Sequence, residues 1–167
     1  MGRGQQRDGG RLAPGSVRNG HVSIVDTKGE NEKICGITDL PVAGFIKDMK
    51  GRGLLDSTIV LWTGEFGRLP VSQNGKGRDH NRNAFSLWLA GGGLKAGHVH
   101  GATDDFAYAA AVDRVSVPDL HATLLHQLGL DHNRVTYRHK GREETLTDSP
   151  VTKARVVANL LQTPPRT

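Results

Sequence analysis

Ser57-Thr58-Ile59-Val60-Leu61-Trp62 is an almost unbroken run of β-branched and apolar residues that stops at Gly64. Such a run, with no polar alternation, is the pattern of a strand buried on both faces, as in a parallel sheet covered on both sides. Ala84 to Ala90 repeats the pattern and is stopped by Gly91-Gly92-Gly93. A third, shorter candidate is Val22-Ser23-Ile24-Val25, ending at Asp26. Helices are signalled between and after these runs. Thr38 or Asp39 caps the first and Pro41 suits its first turn. Val42, Phe45, Ile46 and Met49 recur at helical spacing, and Gly51 and Gly53 end it. Ser116 caps the second, with Pro118 and Asp119 in its first turn. Val117, Leu120, Leu124, Leu125 and Leu128 form its stripe, and Gly129 closes it. A last helix is expected over Val151–Leu161, ahead of Pro164-Pro165. Strands alternating with helices predict an α/β layered sheet.

The chain has 167 residues, the size of one ordinary domain, with 36% apolar and 23% charged residues. No apolar run approaches the roughly 18 residues of a membrane span. One cysteine, Cys35, excludes an intrachain disulfide framework and a multi-cysteine zinc module. The net charge is +5, and Arg3, Arg7, Arg11 and Arg18 against Asp8 place +3 of it in the first twenty residues. That Gly/Arg-rich stretch, residues 1–20, is expected to be disordered. Met1-Gly2-Arg3-Gly4-Gln5-Gln6 lacks the apolar stretch expected of a secretory signal. The expected organisation is this tail, an α/β domain over residues 21–162, and a disordered end over 163–167.

Ligands of open α/β sheets sit outside the carboxyl ends of the strands. Gly64-Glu65-Phe66-Gly67-Arg68 occupies that place after the first strand, and Gly77-Arg78-Asp79-His80 lies shortly before the next. Glu65, Asp79 and His80 are candidate metal ligands, since imidazole and carboxylate suit zinc, iron or manganese. Arg68 and Arg78 are candidate anion binders, suited to a phosphate or sulfate ester. The plain alternative is solvated polar loops, with the arginines in surface salt bridges worth little. The segment between the strands, Glu65 to Asn83, has no periodicity and is expected to be a long loop. His121 and His126 are five residues apart, roughly 140° around a helix, so they cannot chelate one ion together. His98 and His100 alternate and can share one face of an extended segment. Gly91-Gly92-Gly93 lacks the following Lys-Ser/Thr of a phosphate loop and is expected to be a tight turn. No serine stands in a Gly-x-Ser-x-Gly elbow.

Several strings occur in order: Lys33-Ile34-Cys35-Gly36, Gly64-Glu65-Phe66-Gly67-Arg68, Gly77-Arg78-Asp79-His80 and Trp88-Leu89-Ala90-Gly91-Gly92-Gly93. Gly101-Ala102-Thr103-Asp104, Asp119-Leu120-His121-Ala122-Thr123 and Leu128-Gly129-Leu130-Asp131 follow. Together, over roughly residues 33 to 148, they resemble the C-terminal part of a bacterial sulfatase-like family catalogued as a domain of unknown function. That family is placed in the alkaline phosphatase and sulfatase superfamily. The resemblance implies a three-layer α/β/α fold around a mostly parallel sheet, incomplete in this chain. It implies metal ligands on loops at strand ends, a divalent metal such as zinc, manganese or calcium, and an anionic ester or sulfated substrate in complete relatives. It also implies export of those relatives.

The departures are specific. Where the superfamily has an Asp-His pair after a buried strand, this chain has Glu65-Phe66, keeping a carboxylate and losing an imidazole. His80 matches the later histidine. His121 matches a residue typical of the family's following helix but no superfamily metal ligand. The family's Asp-x-His motif upstream of Lys33 is replaced by Asp26-Thr27-Lys28-Gly29, without the histidine. Nothing corresponds to the N-terminal half that carries the nucleophile. The expectation is therefore a fragment of a sulfatase/phosphatase-like metal-dependent hydrolase domain that is not catalytically competent alone, holding metal weakly or not at all. The alternative is a non-catalytic module binding an anionic partner through the Arg-rich tail. That tail has no aromatic residue for base stacking, which argues against nucleic acid. An α/β sheet lacking strands is also expected to be unstable alone.

Overall fold

The computed structural model describes residues 29–73 and 77–163. The Gly/Arg-rich start, Val22–Val25, Asp26-Thr27-Lys28 and residues 164–167 lie outside the described residues. The elements run in order α1 (Gly29–Gly51), β1 (Ile59–Thr63), β2 (Gly67–Arg68), β3 (His80–Asn81), β4 (Leu87–Gly91), β5 (Ala102–Thr103), β6 (Ala110–Val112), α2 (Val117–Gln127), β7 (Thr136–His139), β8 (Arg142–Thr145) and α3 (Ser149–Thr152). A turn of 3-10 helix, Ala158–Leu160, follows.

The expected α/β/α sandwich with a mostly parallel sheet is not formed. The strands pair two by two, β1 with β4, β2 with β3, β5 with β6 and β7 with β8, and every pair is antiparallel. The two apolar runs do form strands, β1 and β4, and they meet in register from Ile59 opposite Gly91 to Thr63 opposite Leu87. An apolar run specifies extended backbone; it says nothing about the direction of the partner strand. Nor is this pair buried on both faces. Trp62 and Trp88, directly opposite, stack with ring centroids 6.1 Å apart, and Trp62 is 47% exposed.

α2 forms as its sequence dictates. Ser116 accepts the Asp119 N–H at 3.2 Å, and the Asp119 carboxylate accepts the Ser116 N–H at 2.9 Å, a reciprocal capping box. At the other end the Leu130 N–H reaches the Leu125 carbonyl and the Gly129 N–H the His126 carbonyl, each at 2.9 Å, the Schellman closure. α1 ends in the same way, with Leu54 bonded to Met49 and Gly53 to Lys50. Its start differs from expectation. The helix begins ten residues earlier and runs through Pro41. Thr38 is not a cap; its hydroxyl donates back to the Ile34 carbonyl at 2.9 Å. The carbonyl that Pro41 cannot serve belongs to Ile37, on an exposed stretch where water can take its place.

The expected C-terminal helix shrinks to the single turn of α3. Lys153 takes a left-handed conformation (φ 58°) and stops it. Beyond it, the backbone N–H groups turn to α2: Arg155 donates to the Asp119 carboxylate and Val157 to the Thr123 hydroxyl, each at 2.9 Å. Among the described residues the buried apolar side chains are Leu94, Leu161 and Ala122 of α2, and Leu94 forms an antiparallel bridge with Leu161. The Gly91-Gly92-Gly93 turn, left-handed at all three residues, links the loop after α1 to α2. The Gly92 N–H bonds to the Leu55 carbonyl, and the Gly92 carbonyl takes the Gln127 amide at 2.6 Å. No helix of the described residues is long and apolar enough to cross a membrane.

Candidate functional site

The segment read as a long loop contains a small hairpin, and the hairpin carries every candidate residue except Glu65, which lies just before it. β2 and β3 pair Gly67 with Asn81 and Arg68 with His80. The pairing continues outward through the Leu69 N–H to the Asp79 carbonyl (2.8 Å) and the Asp79 N–H to the Val71 carbonyl (3.3 Å). Its strands are too short to give a periodic signal in the sequence.

Two local contacts hold the hairpin in place. Gly67 lies so close to the Ala84 carbonyl that no side chain fits there, which ties β2 to the segment leading into β4. Asn81 is buried at 2% exposure. It donates to the Tyr108 carbonyl at 3.1 Å and accepts the Asn83 N–H at 2.9 Å. The loop it grips is itself ordered by Asp104, whose carboxylate takes the N–H groups of Phe106, Tyr108 and Ala109 at 2.9–3.1 Å.

Alternation then sorts the candidates by face. Arg68 and His80 are cross-strand neighbours, and Phe66, two residues before Arg68, shares their side. The Phe66 and His80 rings lie 3.8 Å apart, centroid to centroid, tilted by 31°. The Arg68 guanidinium carbon sits 5.1 Å over the Phe66 ring. Arg68 also donates to the Arg78 carbonyl at 3.4 Å, and Arg78 to the Gly77 carbonyl at 2.8 Å. Among the described residues neither guanidinium lies within ion-pair distance of a carboxylate. Among the described residues, the surface salt bridges weighed as the plain alternative are not formed.

Asp79 lies on the opposite face from His80, with its carboxylate accepting the Gln73 N–H at 3.0 Å. Glu65 is exposed in the bend before β2. These three side chains do not converge. Among the described residues no three His, Cys, Asp or Glu side chains come together as a metal site. The shared face does offer an anion a fork-shaped guanidinium donor and an imidazole, with Arg78 nearby in the chain, on a backbone held by Gly67 and Asn81.

The remaining histidines stand apart. His98 and His100 do share one side of their segment, with ring centroids 6.0 Å apart. His126 and His132 line a cleft of about 430 Å³ with Gly129, Leu130, Asp131 and Val156. His132 Nδ1 lies 3.1 Å from each of the Thr147 and Ser149 hydroxyls, which ties the turn after α2 to α3. Sequence reasoning assigned no role to Phe66, Gly67 or Asn81. The two glycines around Glu65-Phe66 were the available signal for the first two; Asn81 offers none.

A family model described as a protein of unknown function (DUF1501) matches residues 21–161. The chain belongs to this family. The match covers the whole described hairpin, both apolar strands and α2. No curated protein and no solved structure matches the chain.

Proposed function

We propose that this chain recognises the anionic head of a sulfate or phosphate ester through Arg68, Arg78 and His80, as part of a sulfatase/phosphatase-like hydrolase domain, and does not hydrolyse the ester by itself. The observation that carries the reading is the face shared by Arg68 and His80 on the hairpin, with both guanidinium groups free of carboxylate partners among the described residues. An unpaired guanidinium on a pinned strand is a ready donor to a tetrahedral oxyanion. The resemblance of the ordered motifs to a sulfatase-like family supports the ester class.

Calorimetric titration of the full chain with inorganic phosphate and with phenyl phosphate tests the binding half. Arg68→Ala is expected to weaken binding roughly tenfold, the value of one charge-assisted hydrogen bond of about 1.5 kcal/mol. Unchanged affinity in Arg68→Ala would rule out recognition at this face. The second half is tested with p-nitrophenyl sulfate and p-nitrophenyl phosphate, with and without Zn²⁺, Mn²⁺ or Ca²⁺. The expected result is no turnover, and robust metal-dependent turnover would overturn it.

A further inference from the structure

We propose that Phe66 is the positioning residue of this site, the platform that holds Arg68 and His80 in one arrangement for an incoming oxyanion. The inference rests on the anion-recognition reading above and assigns a role to a side chain outside the candidate set.

Arg68 and His80 are both exposed, while Phe66 is half-buried. An exposed arginine has many rotamers, and ordering it when an anion binds costs entropy. Here the ring of Phe66 lies against both the imidazole and the guanidinium. His80 packs at 3.8 Å, and the guanidinium sits 5.1 Å over the ring, within the range of an attractive cation–π contact. The planar guanidinium leaves its edge donors free when its face is occupied, so stacking and anion binding do not compete. The backbone beneath is fixed as well. Gly67 wedges against the Ala84 carbonyl directly after Phe66, and Asn81 anchors the strand directly after His80. Phe66 therefore sits on a rigid support and orders two mobile side chains before the ligand arrives. Such preorganisation raises affinity by lowering the ordering cost rather than by adding a contact.

The test titrates inorganic phosphate into the full chain carrying Phe66→Leu, Phe66→Trp or Arg68→Ala, with far-UV circular dichroism reporting the fold. Phe66→Leu keeps apolar bulk and loses the π face. It is expected to weaken phosphate binding about three- to tenfold, the range of one such contact, and Phe66→Trp is expected to restore it. The His80 ring protons, read by NMR, are expected upfield in the unsubstituted chain and to move downfield in Phe66→Leu. Phosphate affinity unchanged in Phe66→Leu but lost in Arg68→Ala would overturn the role of Phe66 and leave the anion site standing. Affinity unchanged in Arg68→Ala would remove both. If Phe66→Leu does not fold, absence of a Phe66–His80 ring cross-peak in the unsubstituted chain overturns the platform by itself.

Discussion

Asn81 uses its amide for three groups that no other side chain could serve at once. It donates to the Tyr108 carbonyl, approaches the Ala107 carbonyl at 3.5 Å and accepts the Asn83 N–H. At 2% exposure, water cannot replace these bonds. Asn81→Ala is therefore expected to cost about 1–3 kcal/mol, the penalty of buried polar groups left unpaired. A urea-midpoint comparison measures it, and a change within error would mean that the loop re-pairs without the amide. Asp79 and His80 illustrate the same scale from the other side. They are neighbours in sequence and, with Glu65, candidate metal ligands. An extended backbone sends successive side chains to opposite faces, so adjacency separates them. The useful spacing is two, which brings Phe66 and Arg68 to one side, and the cross-strand register, which adds His80.

α2 shows an element whose two caps are built locally. Burial pushes the Asp119 carboxyl up, but the Ser116 hydroxyl and N–H, the Arg155 N–H and the Arg155 charge together hold it below the ordinary 3.8. A lowered carboxyl favours the folded state when ionised. Its contribution is complete above the unfolded value of 3.8 and is lost as pH falls through the folded value. Ser116→Ala removes one of the lowering bonds. The Asp119 titration, followed by carboxyl NMR, is expected to move up toward 3.8, and stability near neutral pH to fall by about 1 kcal/mol. An unmoved titration would show that the residue-116 N–H and Arg155 hold the carboxylate without the hydroxyl. β7 and β8 are as local: Lys140-Gly141, both left-handed, is a two-residue hairpin turn. α3 is the opposite case. Nothing within Val151–Leu161 forbids a helix, yet Arg155 and Val157 give their N–H groups to α2 instead.

At the scale of the molecule, the apolar surface is only partly covered. Ile37 and Leu40 of α1 are 61% and 79% exposed, and the Trp62–Trp88 stack is open to solvent. Two-stranded sheets are marginal without a third strand or a helix against them. The isolated chain is therefore expected to bind a hydrophobic dye such as ANS in native buffer. Its thermal transition, read by tryptophan fluorescence and by far-UV circular dichroism, is expected not to coincide between the two probes. Coincident, sharp transitions with no dye binding would show a self-sufficient core.

The sequence by itself determined α2 with both caps, the C-terminal end of α1, the extended runs of β1 and β4, the glycine turn after β4 and the basic residues that make an anion site conceivable. Each of these is complete within about six residues: a cap supplies its own donors, and an apolar run needs only its own side chains to prefer extension. Only the tertiary structure decided that β1 and β4 run antiparallel, that β2 and β3 pair at all, and that Arg68, His80 and Phe66 share a face from which Asp79 is turned away. Those outcomes depend on partners ten to thirty residues distant, and the chemistry of a strand edge is the same whichever direction its neighbour runs.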